Sequence, residues 1–139
     1  MKTPAGPVRV TCALITENGR VLATRRSRQM PHPMKWEFPG GKVKEGENPE
    51  GCIRREIREE LSIEVAVGKQ LPTVRHNYES YSLELIPFIC QHLEGVIELA
   101  EHHSFKWVPL EELEGLDWLE ADLDVVRIFT KTDQKESSY

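Results

Sequence analysis

One stretch constrains this chain more than any other: residues 36–63, reading WEFPGGKVKEGENPEGCIRREIREELSI. A short β-prone run, Trp36-Glu37-Phe38, meets a Pro39-Gly40-Gly41 break, and Glu45-Gly46 then turns the chain into a helix. Asn48 is a good N-cap, Pro49 suits the first helical position, and Glu50 follows in the first turn. Ile53, Ile57 and Leu61 then recur at helical spacing, the stripe a helix turns toward a core. The helix is expected to end near Leu61. Glu56, Glu59 and Glu60 crowd one flank of it, and Glu60 borders the apolar stripe.

That crowding has a chemical consequence. Glu56 and Glu60 form a like-charge i, i+4 pair costing an isolated helix about 0.2–0.5 kcal/mol. A partly buried, ionised Glu60 needs a partner. A divalent cation satisfies both demands, and oxygen ligands without Cys or His suit Mg²⁺ or Mn²⁺. Magnesium is readily shared with substrate phosphates, which points to phosphoryl chemistry. The same text also reads as a solvated helix face with a favourable Glu50–Arg54 pair. Gly40-Gly41 favour the first reading, because bare backbone carbonyls can approach the same ion.

The rest of the chain supplies a sheet. Val8, Val10, Cys12 and Leu14 alternate as in a strand, and Asn18-Gly19 marks a type I′ turn into a strand from Val21-Leu22. Residues 27–35 read as a loop. Further extended runs cover 63–67, 74 onward, 81–90 and 105–108, and Leu119, Leu123, Val126 and Thr130 keep helical spacing, with Val125 and Phe129 widening the stripe. The class is α+β, one sheet covered by helices. A single domain is expected over residues 1–130, with the polar segment 131–139 a flexible tail. Cys12, Cys52 and Cys90 lie far apart with no CxxC pair, which suits a reducing, cytoplasmic setting rather than a disulfide framework. With 18 basic against 23 acidic residues, the net charge of -5 is the wrong sign for coating a nucleic acid polymer. No membrane-length apolar run and no secretory signal are visible.

Gly41, Glu47, Arg55-Glu56-Ile57-Arg58-Glu59-Glu60 and Ile63 stand at spacings that resemble the Nudix box. Only its last glycine is missing, replaced by Ser62, at a position that usually takes a left-handed residue. A serine there is expected to cost on the order of 1 kcal/mol without touching the carboxylates. The prelude Lys35-Trp36-Glu37-Phe38-Pro39-Gly40-Gly41 is similar to the MutT branch, the nucleoside triphosphate pyrophosphohydrolases.

The resemblance implies a mixed sheet flanked by helices, an α/β/α sandwich. It implies Glu56, Glu59 and Glu60 as Mg²⁺ (or Mn²⁺) ligands with the Gly40 carbonyl, and Gly41, Glu47 and Arg55 as structural members of the box. Glu101 matches a further glutamate of MutT-like enzymes, as ligand or base, so Glu56, Glu59, Glu60 and Glu101 form the expected catalytic set. Water would attack the β-phosphorus, releasing a nucleoside monophosphate and pyrophosphate. Arg25, Glu37 and Phe38 match positions near the nucleoside, and Asp122 matches the side chain that reads the base. An ionised Asp122 only accepts hydrogen bonds, so the base edge must offer donors unless that carboxyl is protonated. Tyr78 and Tyr81 are candidates to stack on the base or simply to pack. Adjacent His102 and His103, without Cys or an HExxH spacing, do not read as a zinc site. The expected substrate is an 8-oxo-dGTP-type nucleotide or, alternatively, a cytidine nucleotide; a non-catalytic nucleotide-binding module is the other class. No membrane or polymer partner is expected, and the chain is expected as a monomer or homodimer.

Overall fold

The computed structural model describes residues 6–137, with side chains to residue 132. Eight strands and two helices form it: β1 Val8–Glu17, β2 Arg20–Arg25, β3 Trp36–Glu37, β4 Gly40–Lys42, α1 Pro49–Leu61, β5 Glu64–Gln70, β6 Val74–Asn77, β7 Ser82–Glu94, β8 Ser104–Pro109 and α2 Glu120–Ser137. A 3₁₀ turn at Leu110–Gly115 leads into α2.

The centre of the sheet is a parallel pair, β1 on β7, running from Val8↔Leu83 to Thr16↔Gln91. Residues 11–15 of β1 are buried, as a strand covered on both faces requires. Cys12 and Leu14 pack with Val125, Val126 and Phe129 of α2, whereas Ala13 and Ile15 pack with Ile53, Ile57 and Leu61 of α1. The fold is therefore a mixed sheet between helices. Asn18 (φ 51°) and Gly19 (φ 74°) make the β1–β2 turn with both residues left-handed, as an Asn-Gly hairpin requires.

Both flanks of the central pair are divided. β1 pairs β2 at Thr16↔Val21 and Glu17↔Arg20, but pairs β4 at Val10↔Lys42 through Cys12↔Gly40. β7 pairs β6 over Ser82 to Leu85 and β5 from Phe88 onward. Pro87, which has no N–H to donate, sits at that changeover. Because β2 leaves β1 to pair with β3 and β8, the sheet opens between them.

Three expectations need correcting. Gly40-Gly41 do not simply end a strand; they form β4, hydrogen-bonded to β1. β7 runs to Glu94, beyond Cys90. The last helix continues through Lys131 to Ser137, since no Gly or Pro interrupts it. Residues 138 and 139 of the expected tail lie outside the described residues. Cys12, Cys52 and Cys90 are all buried free thiols. No helix among the described residues is long and apolar enough to cross a membrane.

Candidate active site

α1 is fixed at both ends. Asn48 Oδ1 accepts the Gly51 N–H at 2.7 Å, and Ser62 closes the helix in the left-handed region (φ 60°, ψ 30°), its N–H bonded to the Arg58 carbonyl. With Cys52, Ile53, Ile57 and Leu61 buried, the helix has no rotational freedom, and its acidic flank faces β4. Arg55 organises that flank. Its Nε and Nη2 donate to Glu47 at 2.7 and 3.0 Å, and its Nη1 lies 2.9 Å from Glu56 Oε1 and 3.1 Å from both Glu59 oxygens. The bond from Arg55, then that from the Lys44 N–H, holds Glu47 down at about 2. The guanidinium itself is raised, chiefly by Glu47.

The glycines are demanded by space. A Cβ on Gly40 would lie 2.0 Å from the Thr11 carbonyl oxygen, so β4 could not approach β1. A Cβ on Gly41 would lie 2.2 Å from Glu56 Cδ, so the Glu56 carboxylate occupies the space a side chain would take. The Gly40 N–H donates to Glu60 Oε1 at 3.0 Å. In an antiparallel ladder a residue's N–H and C=O point the same way, so the Gly40 carbonyl faces the acidic helix too. Burial, reinforced by Glu56 and Glu37, pushes Glu60 up to about 7, while His102 pulls the other way.

On the α2 side of the sheet lies a cavity of about 430 Å³, lined among others by Arg26, Glu37, Phe38, Gly40, Tyr78, Tyr81 and Asp122. Asp122 is 5% exposed, and its Oδ2 accepts the Phe38 N–H at 2.8 Å. Burial, with Glu37 nearby, pushes its carboxyl up to about 8, which favours the protonated form well above the usual carboxylate range. Tyr78 and Tyr81 stack with ring centroids 5.0 Å apart.

Most of the site residues expected from sequence are thus brought together. Glu56 and Glu60 meet β4 at Gly41 and Gly40, Glu59 joins them through Arg55, and Glu47 with Arg55 forms the brace; Glu37, Phe38 and Asp122 line the cavity. Arg25 is not among the residues lining that cavity. It lies over the Trp36 ring at 5.5 Å and donates to the Met34 carbonyl, and the arginine at the cavity is Arg26, paired with Glu37 at 2.9 Å. Glu101 is exposed, between Ala100, whose N–H bonds the Glu60 carbonyl, and His103, whose N–H bonds the Arg25 carbonyl. Sequence reasoning missed His102. Its side chain is 3% exposed, its Nε2 donates to Glu37 Oε2 at 2.8 Å, and its Nδ1 lies 3.7 Å from Glu60 Oε2. Burial disfavours the imidazolium, but the bond to Glu37 and the charges of Glu60 and Glu37 outweigh it and raise His102. No local spacing in the sequence marked it; His102 and His103 are adjacent, and only the fold buries one and exposes the other.

No three His, Cys, Asp or Glu side chains among the described residues converge on one point. The donors nonetheless fit a hard divalent cation. All are oxygens, and one nitrogen of a cationic guanidinium already lies within about 3 Å of both Glu56 and Glu59. Glu56, Glu59, Glu60 and the Gly40 carbonyl are the groups that would hold such an ion.

The chain matches the NUDIX domain over residues 6–127. It belongs to the Nudix family. This Nudix domain is 29% identical over 122 residues to the CTP pyrophosphohydrolase of Escherichia coli (strain K12), covering 88% of this chain and 90% of that protein. It is 27% identical over 122 residues to the 8-oxo-dGTP diphosphatase of Buchnera aphidicola subsp. Schizaphis graminum (strain Sg), covering 88% and 92%. Its fold superposes on the E. coli ORF135 protein with a TM-score of 0.83 at 28% identity, covering 91% of this chain and 90% of that one. As a Nudix hydrolase the chain is an enzyme, of a family that generally uses divalent metal ions.

Proposed function

We propose that this Nudix hydrolase is a Mg²⁺-dependent nucleoside triphosphate pyrophosphohydrolase that acts on 8-oxo-dGTP-type nucleotides in nucleotide-pool sanitation. The observation that carries the reading is the meeting of two unlike regions at Gly40. Its N–H bonds Glu60 of the acidic cluster, and the same residue lines the cavity that holds Asp122. A triphosphate tail on the cluster therefore leaves its nucleoside in the cavity. A bound divalent cation would neutralise phosphate charge and acidify water. The chain's residues do the rest. Arg55 spaces Glu56 and Glu59, and Gly40 fixes one Glu60 oxygen. Water attacks the β-phosphorus, the bond to the α-phosphate oxygen breaks, and the water proton passes to Glu59 or Glu101. Nucleoside monophosphate and pyrophosphate leave.

Asp122 gives the base a hydrogen-bond donor. One oxygen accepts from Phe38, and a protonated carboxyl offers its O–H to a base acceptor, a purine O6 in the leading reading or a cytosine N3 in the second. A cytidine nucleotide is the second reading, favoured by the name of the Escherichia coli relative and by Leu116-Asp117-Trp118 ahead of Asp122.

The test is pyrophosphate release with Mg²⁺ from 8-oxo-dGTP, dGTP, CTP, dCTP and 5-methyl-dCTP. The expected result is a preference of tenfold or more, about 1.4 kcal/mol at the transition state, for the oxidised purine. A cytidine preference moves the enzyme to the second reading, and no release from any of them sinks the triphosphate assignment. Glu59→Gln and Glu101→Gln should both lower turnover, the larger loss marking the base.

A further inference from the structure

One buried group has no part in that scheme. His102 Nδ1 is the one buried side-chain nitrogen or oxygen among the described residues without a hydrogen-bond partner. Such an atom is uncommon in a folded protein and asks for a reason. It faces Glu60 Oε2 at 3.7 Å, inside ion-pair range but outside the 2.7–3.2 Å of a hydrogen bond. The other ring nitrogen is committed to Glu37 at 2.8 Å. The ring is carried on a short segment stitched at both ends, by Ala100 N–H to the Glu60 carbonyl (3.1 Å) and His103 N–H to the Arg25 carbonyl (2.8 Å).

The partners of His102 are themselves fixed. Arg26 holds the second Glu37 oxygen at 2.9 Å, and the Gly40 N–H holds the second Glu60 oxygen at 3.0 Å. A continuous line therefore runs Arg26–Glu37–His102–Glu60–Gly40. Glu37 lines the cavity on the α2 side of the sheet, whereas Glu60 belongs to α1 on the other side. The line crosses where β2 has left β1.

We propose that His102 is a positioning residue that couples the Glu37 wall of the nucleoside cavity to the Glu60 carboxylate of the cation cluster. The inference rests on the reading of that cluster and cavity given above. Glu60 has one oxygen committed and one facing His102, so the imidazole decides how that second oxygen is presented to a cation. Its position is set by Glu37, because the bond to Glu37 is the only hydrogen bond of the ring. A shift of well under 1 Å brings Nδ1 into bonding range of Glu60 or takes it further away. A nucleoside that displaces Glu37 in the cavity thereby alters how Glu60 is presented to the cation without touching Glu60.

The experiment is a double-mutant cycle read on the cation alone, with Mn²⁺ titrated into nucleotide-free protein and followed by electron paramagnetic resonance. Four proteins are compared: wild type, Glu37→Gln, His102→Ala and the double variant. Residues in contact, whether by hydrogen bond or ion pair, couple measurably. Glu37→Gln is expected to change the Mn²⁺ Kd by about threefold or more when His102 is present, and by under about 1.5-fold when it is absent. Equal changes in both backgrounds, or none in either, overturn the proposal, since a histidine that merely fills space would leave the cycle additive. Should His102→Ala melt before it can be titrated, His102→Gln replaces it. That residue can still donate to Glu37 but has no second ring nitrogen facing Glu60, so the coupling should again vanish; retained coupling overturns the proposal. Wild-type turnover is assayed in parallel. Coupled Mn²⁺ binding without pyrophosphate release overturns the triphosphatase reading alone, and absent Mn²⁺ binding with turnover intact overturns the coupling alone.

Discussion

Gly40 and Gly41 are neighbours with different reasons for being glycine, and the difference can be measured. A methyl on Gly40 meets backbone, the Thr11 carbonyl oxygen at 2.0 Å, and no side-chain motion relieves it. A methyl on Gly41 meets the end of a flexible side chain, the Glu56 carboxylate, which can swing away. Gly40→Ala is therefore expected to destabilise the fold by several kcal/mol, in the range of the severest steric and strain substitutions. Gly41→Ala is expected to keep a melting temperature within a few degrees of wild type, yet lose tenfold or more in turnover because Glu56 is displaced. Thermal melts and pyrophosphate release on both variants decide the matter, and a Gly41→Ala protein as active as wild type would contradict the placement of Glu56. At this scale the sequence was informative about residue type: Glu56, Glu59, Glu60, Glu47 and Arg55 all fall in one connected cluster. It gave His102 no role and chose Arg25 over its neighbour Arg26 for the nucleoside side. Nothing in local spacing shows that a histidine at the end of one loop reaches a strand 65 positions earlier in the chain.

At the level of elements, α1 shows local signals in full agreement. The Asn48 cap, Pro49, the apolar stripe and the left-handed Ser62 all stand where the spacing places them. Ser62 is the one costly choice, since a side chain at φ 60° crowds the backbone. Ser62→Gly should relieve that strain while loosening the unfolded chain, for a net gain of about 0.5–1 kcal/mol. Denaturant midpoints at constant m-value would show it, and a loss of stability would mean the serine side chain contributes more than the strain costs. β4 was illegible for the opposite reason. Glycines carry no β-propensity, and three residues of Gly-Gly-Lys become a strand only because Val10 to Cys12 of β1 offer a ladder. The last helix was misjudged at its end because a polar composition is equally compatible with helix and tail once the apolar stripe stops.

For the whole molecule, the buried acids set a pH dependence. Asp122, pushed to about 8, and Glu60, pushed to about 7, bind protons more tightly folded than unfolded, where carboxylates titrate near about 4. Their contribution is complete below about pH 4 and is lost as pH rises toward 8, because the folded state must then hold buried negative charge. His102, raised as well, acts in the same direction. Cation-free protein is therefore expected to lose stability between about pH 4 and 8. Asp122→Asn, which can still accept the Phe38 N–H, should escape part of that loss. Its advantage over wild type should grow by about 1 kcal/mol or more across the window, measured by thermal or chemical unfolding in chelator. An advantage that does not change with pH would show that Asp122 is already ionised when folded.

What the sequence determined by itself was everything carried by spacing along the chain: the capped helix, the Asn-Gly hairpin, the alternating strands and the identity of the acidic cluster. These are short-range consequences of helix and strand periodicity, so they needed no partner to be read. Only the tertiary structure decided which groups meet across the sheet. The changeover at Pro87, the ladder that makes a strand of Gly40–Lys42, the burial that raises the Asp122 carboxyl and the line through His102 all depend on residues distant in sequence. Burial and electrostatic environment are properties of neighbours in space, and those neighbours are fixed when β2 parts from β1 and the two helices close on opposite faces.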